Sequence, residues 1–261
     1  GPTPSPASRT IFGMGAADYA TAMDVVVEIQ GRRASIELNR PEKLNALNLS
    51  LVGALAEAAE RVAAEPEVDL VVVRGRGRAF CAGLDLDMFA AEGMPPDFYG
   101  AQERALRRFE TMDKIVVAAI HGHCIGGGVQ IAAACDVRVA AADAVFAVPA
   151  VEEGVFPGMA PYRLPRLVGK GRAASLILTG RRLDAQEAAQ IGLVDHVGDF
   201  DAVIDAYARA PREAAAASKR LIARSYEASF EDTLAESEAL LEECLRAPGA
   251  AAARAAWLRR R

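Results

Sequence analysis

The chain has 261 residues and a mass of 27.6 kDa, enough for one large core with a helical appendage. Its 52% hydrophobic and 25% charged residues exclude a disordered protein. A net charge of −5 argues against a nucleic-acid footprint, and no apolar run approaches the roughly 18 residues of a spanning helix, so neither nucleic acid nor membrane is an expected partner.

Residues 1–23 read as a disordered extension or a processing scar. The stretch Gly1 to Arg9 is rich in Pro, Ser and Thr, and Met14 or Met23 would serve as a start. Two short β-prone runs follow, Val25 to Ile29 and Ala34 to Leu38, with Gly31 as the turn between them. From Ser50 to Ala64, Leu51, Leu55, Ala58, Ala59 and Val62 recur at helical spacing. Leu70 to Val73 reads as a buried strand, Gly75 to Asp85 as a loop, and Phe98 to Met112 as a helix. Ile115 to Ile120 is the next buried strand, running into His121-Gly122-His123-Cys124-Ile125 and the triple glycine Gly126-Gly127-Gly128. Val129 to Ala134 reads as helix, and Val137 to Val139 and Val145 to Val148 as strands. Beyond Gly154 the pattern is helical, with segments at Leu164 to Val168, Ala173 to Leu178 and Ala185 to Ile191. Pro211, at a first helical position, opens alanine-rich helices that run to Arg261. Strand–helix alternation followed by helices alone implies an α/β core over 24–198 and a C-terminal helical region over 199–261.

The four cysteines, Cys81, Cys124, Cys135 and Cys244, show no paired metal-ligand spacing, so no metal is expected. Without a secretory signal they are expected to be free thiols in a reducing cytoplasm.

Two segments carry chemistry. In Arg78-Ala79-Phe80-Cys81-Ala82-Gly83-Leu84-Asp85 the small residues allow a ligand close to the backbone. The triple glycine stands between a strand and a helix, which puts unpaired amides at a helix N-terminus. Two such amides converging on one point stabilise the oxyanion of an enolising thioester. No Lys-Ser/Thr follows the glycines, so they are not a Walker phosphate loop.

Five segments in order resemble the crotonase (enoyl-CoA hydratase/isomerase) family. They are Leu38 to Leu47 (LNRPEKLNAL), Phe80 to Leu86 (FCAGLDL), His121 to Asp136, Leu164 to Gly169 and Ala185 to Val194. The resemblance implies a spiral of ββα units with C-terminal helices that serve trimerisation, and a homotrimer or a hexamer made of two trimers. It implies an acyl-CoA or other acyl-pantetheine thioester as ligand, with coenzyme A as part of the substrate and no tightly bound cofactor. Carried over, the oxyanion donors are the backbone amides of Leu84 and Gly127. The same resemblance places Lys43, Ala46, Ala82, Gly83, Leu84, Asp85, Leu86, Gly126, Gly127 and Ala150 around the thioester.

The sequence departs from the family where hydratases carry two glutamates. Gln130 holds the first position and Ala150 the second. Neither exchanges a proton near neutral pH, so two-glutamate addition of water is not available. Glu152 and Glu153 follow closely and are candidates for a displaced base, Glu153 being nearer the Gly154 turn. If the segment is extended, only one of the pair faces the ligand. His121 and His123 are further candidates, because histidine titrates near the operating pH, and an unbroken strand would turn both to one face. Asp85 reads as a residue that organises its loop, and Cys81 as a packing residue. Arg32, Arg33, Lys43, Arg76 and Arg78 are candidates to meet the coenzyme A phosphates.

The expected function is therefore that of a hydratase/isomerase-type enzyme that stabilises a thioester enolate with an atypical set of side chains. Two alternatives stand beside it. One is a non-catalytic acyl-CoA binder or carrier. The other is a decarboxylase of a malonyl-type thioester: the segments His121 to Gly128 and Phe156 to Met159 resemble decarboxylases of polyketide β-branching. Those carry a lysine after the first oxyanion loop, where this chain has Asp87 and Met88.

Overall fold

A computed structural model describes residues 23–259, so the expected N-terminal extension lies outside the described residues except for Met23. In chain order the elements are β1 (Val25–Gln30), β2 (Arg33–Leu38), α1 (Leu49–Ala64), β3 (Leu70–Gly75), β4 (Ala79–Cys81), α2 (Leu86–Glu92) and α3 (Phe98–Thr111). There follow β5 (Ile115–Ile120), β6 (His123–Ile125), α4 (Gly127–Ala134), β7 (Val137–Ala140) and β8 (Val145–Ala147). The chain ends with α5 (Ala160–Val168), α6 (Lys170–Thr179), β9 (Leu183–Asp184), α7 (Ala185–Gln190), β10 (His196–Val197), α8 (Phe200–Tyr207), α9 (Arg212–Arg224), α10 (Phe230–Arg246) and α11 (Pro248–Leu258).

The strands form two sheets. One has six strands in the order β1-β2-β3-β5-β7-β10, antiparallel at the β1/β2 hairpin and parallel elsewhere. The other has four, in the order β4-β6-β8-β9, with only the β8/β9 pair antiparallel. A parallel strand covered on both faces needs apolar residues at successive positions, and β5 supplies them as Ile-Val-Val-Ala-Ala-Ile. Val116, Ala118 and Ile120 point into the main core; Val117 and Ala119 point to the opposite face, where α8 covers them with Ile204, Phe200 and Val203. On the main-core side α1 buries Leu51, Val52, Leu55, Ala58, Ala59 and Val62, and its first turn is closed by Asn48, whose side chain accepts from the Leu51 amide at 2.8 Å.

The α/β class and the helical C-terminal region match the sequence expectation. Several short elements do not. The segment expected as a loop from Gly75 to Asp85 contains β4, and β6 and α2 were not anticipated. The region after Gly154 is not purely helical, because β9 and β10 add edge strands to the two sheets. Strands of two or three residues are too short to show a periodicity, and their partners lie far away in sequence.

Two buried cations tie helices together. Arg163 of α5 makes a fork to Glu103 of α3, at 2.8 and 3.1 Å, and a third bond to Glu110 at 2.7 Å. Lys219 of α9 donates to the carbonyl oxygens of Phe109 and Lys114, at 2.6 and 2.8 Å, and pairs with Asp136 at 2.8 Å. Among the described residues no helix is long and apolar enough to cross a membrane.

Candidate active site

The first chemical loop is held by a neighbouring segment. Asn45 is fully buried in the left-handed conformation (φ 57°), which its short polar side chain tolerates. Its Nδ2 lies within 3.2 Å of the carbonyl oxygens of Arg76, Ala79 and Phe80, and its Oδ1 accepts from the Arg40 amide at 2.9 Å. Arg40 in turn donates to Asp85 at 3.0 Å, and Asp85 caps α2 by accepting from the Met88 amide at 3.2 Å. Burial pushes the Asp85 carboxyl up, but the Met88 amide and the Arg40 guanidinium outweigh it and hold the group below the ordinary carboxylate range. Asp85 thus organises the loop, as its position suggested.

The same arrangement aims an amide. Leu47 donates its N–H to the Gly83 carbonyl at 2.7 Å. In a planar trans peptide the N–H points opposite to the C=O, so the Leu84 amide faces away from the Leu47 amide, and Leu84 itself lines a cavity. Gly83 has φ 90°, and a Cβ there would lie 2.8 Å from the Ile125 carbonyl oxygen and 3.6 Å from the Gly127 nitrogen. The two loops therefore touch backbone to backbone, and a side chain at 83 would separate them.

The second amide comes from α4. The Gln130 amide donates to the Gly126 carbonyl at 3.2 Å, the first bond of that helix, so the Gly127 amide projects beyond its end. Among the described residues neither the Leu84 nor the Gly127 amide donates to another group. Two unpaired donors from converging loops make a site for partial negative charge on an oxygen.

Both loops line a cavity of about 380 Å³. Its wall includes Ala82, Gly83, Leu84, Leu86, Gly126, Gly127, Gln130 and Ala150, so these expected site residues come together. Leu47, Phe98, Ile125, Val148 and Val155 supply apolar surface, and Phe156 stands at the mouth with 76% of its area exposed. Glu153 also lines it. Glu152 does not: its carboxylate lies against Gly180, 2.7 Å from where a Cβ on that glycine would stand. The extended backbone assumed for this pair is not what separates them. Pro149–Val151 is a tight helical turn, continued by the Glu153 amide donating to the Pro149 carbonyl at 3.2 Å, and a helical turn splays successive side chains by about 100°.

The histidines lie elsewhere. Gly122, with φ 54°, interrupts the strand between them, so His121 and His123 do not continue one strand face. His121 Nε2 lies 2.9 Å from the Gly77 carbonyl oxygen, His123 is exposed, and neither lines the cavity. Lys43, Ala46 and Asp85 also sit outside the wall; Lys43 pairs with Asp87 at 2.7 Å. Arg32 pairs with Asp69 and Arg33 with Asp205, while Arg76 reaches Asn39 at 3.3 Å. Burial pushes the Cys81 thiol up to about 12, which suits a packing residue and not a nucleophile.

Sequence reasoning missed two polar residues of the wall, Tyr99 and Gln102 on α3. A signal for Gln102 existed. The buried stripe of α3 runs Phe98, Ala101, Gln102, Ala105, Leu106, Phe109, and a glutamine in such a stripe is out of place unless it meets something polar.

The model for enoyl-CoA hydratase/isomerase matches residues 28–253. The chain belongs to the enoyl-CoA hydratase/isomerase family. A crotonyl-CoA hydratase of Syntrophomonas wolfei is 38% identical over 178 residues, covering 67% of this chain and 68% of its own. A 2,3-dehydroadipyl-CoA hydratase of Escherichia coli is 32% identical over 225 residues, covering 83% and 88%. The crystal structure of an enoyl-CoA hydratase from Thermoplasma volcanium superimposes with a TM-score of 0.85 at 33% identity, covering 92% of this chain and 99% of that one. The crotonase fold read from the five segments is thus the fold of this chain.

Proposed function

We propose that the chain is an acyl-CoA enzyme that forms a thioester enolate, with the Leu84 and Gly127 amides on the carbonyl oxygen and Glu153 as the single proton-transfer group. The observation that carries this reading is the meeting of two unpaired amides and one carboxylate on the wall of one apolar cavity. Glu153 takes a proton from the α-carbon, the electron pair moves onto the thioester oxygen, and the two N–H groups stabilise the charge. Returning that proton to the γ-carbon shifts a double bond, which needs one base and no water. Addition of water needs a second proton carrier, and Gln130 and Ala150 supply none. The isomerase branch of the family therefore fits this wall better than the hydratase branch.

A decarboxylase reading is less well supported, because among the described residues no Arg, Lys or His lines the cavity to receive a second carboxylate. A binder or carrier has one observation in its favour: both donor loops are kept while both family glutamate positions are Gln and Ala. Three chains, or two sets of three, would assemble through the C-terminal helices, where Ile222, Tyr226 and Phe230 are each about 70% exposed or more.

The test is exchange of the α-protons of a saturated acyl-CoA with deuterated solvent. The wild type and Glu152→Gln are expected to exchange and Glu153→Gln to stop. Exchange that survives in Glu153→Gln sinks the assignment of the base, and tight binding with no exchange in the wild type establishes the carrier.

A further inference from the structure

The Gly127 amide, proposed as the second oxyanion donor, belongs to a helix with few anchors of its own. α4 has eight residues and no charged side chain, and Gly126 gives its N-terminus no side-chain cap. A Cβ on Gly128 would lie 2.5 Å from the Cys81 carbonyl oxygen, so one face of α4 rests directly on β4. Elsewhere the helix packs against α3 and α5. Gln102 of α3 brings its Nε2 within 3.9 Å of the position a Cβ on Gly127 would take. A Cβ on Gly158, just before α5, would lie 3.4 Å from Gln130 Nε2 and 2.9 Å from the ring of Tyr99. The first turn of α4 is thus gripped by α3 and by the loop that leads into α5.

A buried side chain joins those two grips. Arg163 of α5 is 5% exposed, and every nitrogen of its guanidinium is engaged on α3: Nη1 and Nη2 on Glu103, Nε on Glu110. Glu103 directly follows Gln102 and stands one turn after Tyr99; Glu110 is seven residues further, roughly 10.5 Å along the axis. A planar fork that meets carboxylates two turns apart fixes both the distance and the angle between two helices, which the single nitrogen of a lysine does not. Arg163 lies outside the wall of the thioester cavity, so its influence on chemistry passes through the helices it joins.

We infer that Arg163 is a positioning residue for the oxyanion site: by tying α5 to α3 it holds α4 between them and sets where the Gly127 amide stands relative to that of Leu84. The inference rests on the reading of those two amides as donors to a thioester oxygen, and adds what keeps the second in place. The tolerance is small. A Cβ on Gly83 would lie 3.6 Å from the Gly127 nitrogen, and a misplacement of about 1 Å in a reacting group can cost about 10²-fold in rate.

The test is the carbonyl stretching band of a saturated acyl-CoA bound to the full chain, read by infrared difference spectroscopy beside α-proton exchange at saturating ester. In the wild type the band should fall below its position in the free ester, because both amides polarise the carbonyl. Arg163→Lys keeps the charge and loses the fork. It should move the band part of the way back and slow exchange by about 10²-fold, with a far smaller change in affinity. Glu103→Gln and Glu110→Gln, each of which leaves Arg163 one counter-charge, carry the same test if the lysine variant fails to fold. Glu103→Gln should act more strongly, because Glu103 adjoins Gln102. Variants that lose stability in urea while band and exchange rate stay as in the wild type would show a merely structural tie and overturn the inference. A wild-type band that does not shift on binding would overturn the oxyanion reading and this inference with it, a result distinct from the first.

Discussion

Leu47 Cδ1 lies 2.4 Å from the point where a Cβ on Gly127 would stand, so the side chain of one loop occupies the space that glycine leaves in the other. Since the Leu47 amide also holds Gly83, this one residue sets both amides proposed to face the thioester oxygen.

Substituting Gly127→Ala should therefore weaken acyl-CoA binding by about tenfold or more, because a packed core resists an added methyl by roughly 1–3 kcal/mol. Leu47→Ala removes the obstructing atom at its own cost in stability, typically 2–5 kcal/mol for a buried leucine. In the double variant the loss of binding caused by Gly127→Ala should shrink. Titration of all four proteins closes the cycle, and additive losses would show that Leu47 does not set the second donor.

Crotonyl-CoA hydration should be very slow in the wild type. Placing Glu at positions 130 and 150 together puts two proton carriers on the cavity wall, and general acid–base groups contribute about 10²–10⁴-fold each. The loss of absorbance of the conjugated thioester should accelerate in that double variant. Fast hydration by the wild type would mean that another group does the work.

Asp85→Asn should destabilise the chain by roughly 3 kcal/mol at pH 7, since it leaves the largely buried Arg40 guanidinium without its counter-charge. The Asp85 carboxyl titrates lower in the folded chain than the ordinary value of about 3.9 that it has when unfolded. The unfolded state thus binds the proton first, and the stabilisation is complete above about pH 4 and lost as pH falls through the folded value. Urea unfolding at pH 7 and pH 3 should show the gap between wild type and variant closing in acid.

Thiol labelling of the native chain should modify Cys244 at most. Cys81, Cys124 and Cys135 are buried, with burial pushing Cys81 and Cys135 up to about 12 and Cys124 well above its ordinary value. All four should react in denaturant.

The parts of this molecule legible in its sequence are those fixed by local chemistry. Buried parallel strands announce themselves as continuous apolar runs, and the triple glycine marks a helix start by its missing side chains. The Leu84 and Gly127 amides could be proposed as donors because such donors belong to the backbone and depend on loop shape alone. The choice between Glu152 and Glu153 rested on an extended segment that is in fact a helical turn. The histidine pair depended on a strand period that Gly122 breaks. Gln102 went unseen because it lies about 25 residues before the glycine loop, and only the packing of α3 on α4 brings the two together.

The Lys219 ammonium has a consequence for how the chain comes apart. It holds the last turns of α3 through the Phe109 carbonyl, and Asp136 just beyond α4, so the far ends of the helices that carry Gln102 and Gln130 depend on a residue of α9. These contacts cross the boundary expected at residue 198. Cutting off the tail would take the ammonium partner from the Asp136 carboxylate, leaving it the Val116 amide, and would loosen the walls of a cavity that no described residue of the tail lines, so melting and loss of acyl-CoA binding should occur together in a truncated chain.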